Sequence, residues 1–330
     1  MKYIYDDLAD KVILITGGAG FIGSNIAKYL NKHHPRAKVV IFDKFGDEST
    51  FGNGNLTSLG HFKNLLNFNG EIIIGDLTNE EDLKRLESYK FDYIFHQAAI
   101  SDTTCLNQNL LLKTNYESFD FFINKARSDN ATLIYASSAA VYGNSQAPNA
   151  INDAGVPENV YGYSKWLMDK KTQSIMKDED DDLHIIGLRY FNVYGDGEYF
   201  KGNTASMILQ LALQVRKYKK VRLFEFGEQM RDFVYIKDVI QANIKALESQ
   251  KSGIYNVASS KARSFNDIVN ILKSHFGDFE VEYIKNPYLF YQNFTQGDIT
   301  ESVNDLFYEP RYSLEDGIAD YIHALKELPC

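Results

Sequence analysis

Residues 11–25 read KVILITGGAGFIGSN. The opening KVILITG is an apolar run of strand length, and GSNIAKYLNKHH, from Gly23, carries apolar residues at helical spacing. Between them Gly17, Gly20 and Gly23 recur three apart, and Gly18-Ala19-Gly20 satisfies a shorter form of the same fingerprint. Such small residues permit a tight turn and a close backbone approach to a pyrophosphate, whose charge the next helix N-terminus stabilises. A glycine turn alone proves little, because tight turns use glycine for conformational reasons. Here a strand precedes it, a helix follows it, and Asp43 closes the next apolar run, KVVIFD at 38–43. Together these features predict a dinucleotide-binding βαβ unit.

The same rhythm continues outward. EIIIGD (71–76), FDYIFH (91–96), ATLIYAS (131–137) and LHIIGLRY (183–190) read as buried strands. NEEDLKRLES, LLLKTNYESFDFFINKARS and VYGYSKWLMDKKTQSIM between them carry helical periodicity. Near-continuous apolar strands alternating with helices predict an α/β fold, a Rossmann-type doubly wound parallel sheet. After residue 190 the rhythm breaks, and RYFNVYGDGEYFKGNTASM (189–207) reads as a long functional loop leading into a helix. The remainder predicts a smaller α/β C-terminal substrate lobe. The expected division is 1–191 plus about 230–258 for the dinucleotide domain, and about 192–229 plus 259–330 for the lobe.

Composition bounds the function. The chain has 330 residues, with 44 acidic against 35 basic side chains and a formal net charge of −9, which argues against nucleic acid or an anionic membrane as partner. Two cysteines, Cys105 and Cys330, form neither a disulfide framework nor a metal-binding spacing, so no metal is expected. No signal peptide or membrane-length apolar run is visible, which makes the cytoplasm the expected compartment.

Asp43 at the end of the second strand suits a ribose 2′-hydroxyl and therefore NAD, whereas Lys44 and Lys63 offer the cations that the 2′-phosphate of NADP needs. Both cofactors stay open on these residues. Asp76 either meets the adenine or caps the next helix. Tyr161 and Lys165 in VYGYSK stand at i and i+4, so they share a helix face. A free tyrosine, with a pKa near ~10, is a poor base at neutral pH. A neighbouring ammonium is expected to lower that value. Ser137 and Ser138 in YASSAAVYG (135–143) end the fifth strand at the carboxyl edge of the sheet, where such folds bind ligands.

Nucleotide turn, strand-end serine and Tyr-x-x-x-Lys stand in the order seen in the extended short-chain dehydrogenase/reductases, and the chain resembles their NAD-dependent epimerase/dehydratase family. Ala139 and Ala140 replace the Asp-Glu pair that the family's dehydratases carry after the serine or threonine, which argues against water elimination. The blocks RYFNVYG, KGNTASM, LFEFGEQMRDFVYIKDV, SGIYNVASSKARSF and FTQGDIT are similar to the ADP-heptose 6-epimerases. GHFKNL, HQAAISDTT and NPYLFYQNFTQ resemble the epsilonproteobacterial branch. The resemblance spans essentially the whole chain.

It implies inversion at C6 of ADP-D-glycero-D-manno-heptose through a 6-keto intermediate, for lipopolysaccharide core synthesis, with NADP as cofactor and a homo-oligomer, a pentamer, as the assembly. The alternative is an epimerase or dehydrogenase of another nucleotide-linked sugar, such as a GDP-heptose or UDP-hexose. By the resemblance, Tyr161 and Lys201 are the two acid/bases, Ser138 bonds the reacting oxygen, and Lys165 holds the cofactor. Phe21, Ile22, Asp43, Lys44, Gln97, Ala98, Ala99, Ile100, Ser101, Asn115 and Val193 would line the cofactor site. Asn192, Asn203, Gln210, Phe224, Glu225, Phe226, Gly227, Arg231 and Tyr291 would line the substrate pocket. Arg231 can clamp a diphosphate with both arms, or pair with Asp232 or another acid. The sequence departs from many relatives at Asp196 and Gly197, where they carry Pro-Arg, and from some between Phe224 and Arg231, which is one residue shorter than theirs.

Overall fold

The computed structural model describes residues 2–4, 7–285 and 294–329. Its first half runs β1 (Val12–Thr16), α1 (Phe21–His33), β2 (Lys38–Asp43), β3 (Glu71–Ile74), α2 (Glu80–Lys84), β4 (Tyr93–His96), α3 (Gln108–Leu112), α4 (Phe119–Asp129), β5 (Thr132–Ser138), α5 (Val160–Ile175) and β6 (Ile185–Tyr190). The second half adds β7 (Asn192–Tyr194), α6 (Met207–Tyr218), β8 (Lys220–Phe224), β9 (Met230–Tyr235), α7 (Ile236–Lys245), β10 (Gly253–Val257), β11 (Ala262–Ser264), α8 (Phe265–Phe276), β12 (Glu280–Ile284), α9 (Thr300–Leu306) and α10 (Leu314–Glu327).

Seven strands form one sheet in the order β10-β6-β5-β4-β1-β2-β3, every neighbouring pair parallel. The strand order reverses between β1 and β4, which opens a crevice at their carboxyl ends. Alternate side chains feed two cores, as the period of two requires. Ile13, Ile15, Val39 and Ile41 pack with α1 on one face, while Leu14, Val40, Phe42, Ile94 and Leu133 pack with α4 and α5 on the other. The first core continues into Ile208, Leu211, Ile268, Leu272 and Ile318, so the C-terminal elements share it. A small sheet, β11-β9-β7, and the pair β12-β8 complete the fold.

The Rossmann-type expectation holds, with two local corrections. β3 is an edge strand in which Ile72 and Ile74 are exposed, so it is not covered on both faces. The helical pattern at 110–128 is broken by a π-turn, Lys113–Glu117, between α3 and α4. Among the described residues no helix is long and apolar enough to cross a membrane.

Candidate active site

The glycine turn follows β1 as its sequence implies. Gly17 has φ +67°, and its N–H donates to Phe42 O at 2.8 Å. A Cβ on Gly23 would sit 2.3 Å from Gly17 O, so only glycine lets α1 start this close to the turn. Gly23→Ala is expected to displace the turn and strip the protein of tightly held dinucleotide. Absorbance of the dinucleotide released on denaturation checks this, and a native content would contradict it.

Asp43 does something other than wait for a ribose. It is 6% exposed, and its two carboxylate oxygens accept from Ala19 N–H at 2.9 Å and Phe45 N–H at 2.7 Å. Burial pushes its pKa up and these bonds pull it back. Asp43 thus braces the glycine turn from β2. Lys44 is held by Asp76 at 2.9 Å, and Asp76 also accepts from the Thr78 N–H and hydroxyl, each at 2.8 Å. The cap of α2 is Asn79, which corrects the capping alternative for Asp76.

A cavity lies over the carboxyl ends of β1, β4 and β5. Its lining includes Gly17, Gly20, Phe21, Ile22, Gly23, Asp43, Lys44, Asp76, Gln97 to Ser101, Ser138, Tyr161, Lys165, Val193 and Lys201. Two expected cofactor residues stand apart. Lys63 is exposed on a 3-10 turn, Phe62–Leu65. Asn115 is buried in the π-turn, where its amide clamps both backbone groups of Ile100 at 2.8 and 3.0 Å and so positions that wall indirectly.

Tyr161 enters from α5. Burial raises its pKa, and interaction with the Ser138 hydroxyl lowers it in part. Ser138 Oγ accepts from Ala140 N–H at 3.1 Å. The expected depression by Lys165 is corrected: the Lys165 ammonium donates instead to Ala136 O at 2.7 Å. Lys165 is itself 2% exposed, and burial brings its pKa down to about 8, opposed by the charge of Asp169.

Lys201 reaches the cavity from a different wall. Its Nζ lies 5.6 Å from the ring centroid of Phe21, the first residue of α1. Burial lowers its pKa and the charge of Glu198 raises it. The loop departure at Asp196-Gly197 is structurally used. Gly197 adopts φ +98°, and Asn25 Nδ2 donates to Asp196 O at 2.9 Å. Phe200 stacks on His61 with centroids 3.6 Å apart, which joins the Lys201 loop to the segment after β2.

Among the described residues, none of the other expected substrate residues lines this cavity. Asn192 and Asn203 are exposed, and Gln210 donates to Asn203 O at 3.1 Å and Ala205 O at 2.7 Å. Phe224 ends β8 and Glu225 to Gly227 turn away from it, with Phe226 exposed. Arg231 on β9 is mostly buried, 5.8 Å from the Phe265 ring, and donates to Met230 O at 2.9 Å. Its neighbour Asp232 accepts from the Ser259 N–H and hydroxyl at 2.7 and 2.6 Å and from Gly297 N–H at 3.1 Å, so the Asp232 carboxylate is committed elsewhere. Tyr291 lies outside the described residues. Sequence reasoning missed Phe51, which packs with Ile100, Cys105 and Leu111 against Tyr161. It also missed Asp102, which lines the cavity and gathers Asn53 and Asn55 at 2.7 and 2.9 Å. The turn-rich FGNGN at 51–55 was the available signal.

The family profile described as NAD dependent epimerase/dehydratase matches residues 13–258. The chain belongs to that family. Its structure is similar to the ADP-L-glycero-D-manno-heptose-6-epimerase of Helicobacter pylori, at 55% identity and a TM-score of 0.91, covering 99% of this chain and 100% of that one. The resemblance read from the C-terminal motifs is thereby borne out. More distant members are similar in fold along nearly their whole length. The UDP-glucose 4-epimerase of Thermotoga maritima, with UDP-glucose, shares 26% identity, with 96% and 100% of the two chains covered and a TM-score of 0.84. The UDP-glucuronic acid 4-epimerase of Bacillus cereus, in complex with UDP-glucuronic acid and NAD, shares 26% identity, with 96% and 99% covered and a TM-score of 0.81. The chain is a nucleotide-sugar epimerase of this family.

Proposed function

We propose that the protein converts ADP-D-glycero-D-manno-heptose to ADP-L-glycero-D-manno-heptose through a 6-keto intermediate, using tightly held NADP, in the cytoplasm and for lipopolysaccharide core assembly. The observation that carries this reading is the approach of Tyr161 and Lys201 to one cavity from two walls, Tyr161 beside Ile100 and Phe51, and Lys201 over Phe21. The 55% identity to a heptose 6-epimerase supports the sugar. A homo-oligomer, a pentamer, belongs to the same reading.

The residues present fit a dinucleotide. Gly20 faces the cavity with only Gly17 O, at 3.2 Å, near its missing Cβ. Among the described residues, the buried Ser137 hydroxyl at the cavity wall has no partner. Asp43 is engaged inside the turn, and Lys44 at the rim, paired with Asp76 at 2.9 Å, is the cation that would meet a 2′-phosphate by exchanging that partner. When bound, the dinucleotide supplies reversible hydride transfer.

The chain supplies the protons. The Tyr161 phenolate takes the proton of the C6 hydroxyl of one epimer, with Ser138 bonding the same oxygen and opposing the rise in pKa that burial imposes on the phenol. The ketone then presents its other face, which carries its oxygen to the second wall, beyond reach of the fixed phenol. There the Lys201 ammonium delivers a proton to that oxygen as the alcohol re-forms. One proton leaves the substrate and one arrives, with no net oxidation; a proton then passes from Tyr161 to Lys201 through solvent to restore the starting pair, and in the reverse direction the roles exchange.

Proton NMR of the purified protein with ADP-D-glycero-D-manno-heptose, GDP-heptose and UDP-glucose tests the substrate. Interconversion at C6 of the ADP-heptose is expected, and turnover of UDP-glucose alone would overturn the reading. Arg231 is the diphosphate clamp in this scheme. Arg231→Ala is therefore expected to raise KM with kcat nearly unchanged, because binding common to ground and transition states is lost. The loss is about 2 kcal/mol or more, the scale for truncating a buried charge contact. Steady-state kinetics on the folded variant checks it, and an unchanged KM returns Arg231 to a structural role.

A further inference from the structure

Glu198 is a carboxylate with 0% of its surface exposed, three residues before Lys201. Burial of such a group is costly unless hydrogen bonds replace its water. Oε1 accepts from Gly195 N–H at 3.1 Å and from the Ser206 hydroxyl at 2.8 Å, and Oε2 accepts from Ser206 N–H at 2.7 Å. Gly195 precedes the loop, and Ser206 ends it as the cap of α6, so one carboxylate ties both ends together. Lys201 N–H donates to Glu198 O at 2.9 Å, and Glu198 caps the 3-10 turn that follows. In such a turn, side chains three apart eclipse, so the stems of Glu198 and Lys201 leave the same side of it.

We propose that Glu198 is the positioning residue of the second acid/base: it fixes the loop that aims Lys201, and its negative charge keeps the ammonium available as a proton donor. This rests on the reading of Lys201 as an acid/base. The groups facing the pair agree with it. Phe21 from α1 offers a ring and no charge. Tyr194 from β7 and Tyr321 from α10 both sense Glu198, and burial keeps both phenols neutral. Asp196, also in the loop, acts on Tyr321. Glu198 is the charge that opposes the loss of the Lys201 proton by burial.

The test compares pH profiles of kcat for epimerisation in Glu198→Gln, Glu198→Asp and Lys201→Met, each with its thermal unfolding curve. Productive enzyme holds one proton between Tyr161 and Lys201, so the profile is a bell whose limbs belong to the pair. Glu198→Gln removes the charge that raises the ammonium's pKa. The limb on which the donor is lost then moves to lower pH by about one pH unit or more. KM changes little, because the loop contact acts on proton transfer. Glu198→Asp retains the charge but is too short to hold both loop ends, so it keeps the native limb with a reduced kcat. Should Glu198→Gln fail to fold, a native kcat in Glu198→Asp still overturns the positioning role. Native limbs in folded Glu198→Gln overturn the proposal. An inactive Lys201→Met beside those native limbs removes the Glu198 proposal alone, whereas a native rate in Lys201→Met removes the Lys201 reading and this one with it.

Discussion

Tyr161→Phe and Lys201→Met are each expected to reduce epimerisation by ~10²–10⁴-fold, the usual cost of losing a general acid/base. Both substitutions preserve shape. The ring left at position 161 would keep its seat against Phe51, Ile100 and Leu111, and a methionine at 201 keeps the unbranched stem over Phe21. The glycine turn and Lys165 are untouched, so each variant should purify with native dinucleotide content. Each should also still oxidise and re-reduce one epimer on one face, because the acid/base on that side remains. Measuring turnover of the two epimers separately, with the redox state of the released dinucleotide, separates these possibilities. If Lys201→Met inverts C6 at the native rate, Lys201 is a loop lysine and the two-wall scheme fails.

Asp169→Ala is expected to lower stability by about 3–5 kcal/mol, the scale for leaving one charge of a buried pair without its partner. Arg189 Nε meets Asp169 Oδ2 at 2.8 Å, with side-chain exposures of 1% and 2%. Tyr135 donates to the other Asp169 oxygen at 2.8 Å, and the Arg189 guanidinium also reaches the Tyr142 hydroxyl at 2.9 Å and Ile151 O at 2.7 Å. The pair thus binds α5 to β5, to β6 and to the segment before α5. Removing Asp169 strands the guanidinium, whereas Asp169→Leu with Arg189→Met removes both charges and should cost less. The same residue also touches function. Its charge sustains the Lys165 ammonium against burial, so the single variant should further lower the Lys165 pKa from about 8. Urea unfolding of both variants checks the stability difference, and a loss below about 1 kcal/mol in Asp169→Ala would contradict it.

Most of the fold is legible because a parallel sheet covered on both faces leaves its strands nearly continuous in apolar residues. KVILIT, KVVIFD and TLIYAS announce β1, β2 and β5 in this way. β3 reads the same, yet its edge position exposes Ile72 and Ile74, and nothing local in EIIIGD encodes which strand ends a sheet. The site divides similarly. Glycine spacing and the i,i+4 pair Tyr161–Lys165 are local and readable. What the side chains do is long-range: Lys165 turns to the Ala136 carbonyl, Asp43 turns to Ala19 N–H, and the Lys201 loop is pinned by Asn25 and His61. Glu198 reads as one more acidic residue in a polar loop, and its burial appears only when α6 and α10 pack around it.

The most direct measurement is epimerisation of ADP-D-glycero-D-manno-heptose in deuterated water, followed by NMR at C6. Tyr161 and Lys201 exchange protons with the oxygen alone, so the carbon-bound hydrogen never mixes with solvent. Complete inversion with the C6 hydrogen retained is the expected result. Deuterium at C6 of the product, or no inversion of the ADP-heptose at all, would contradict it.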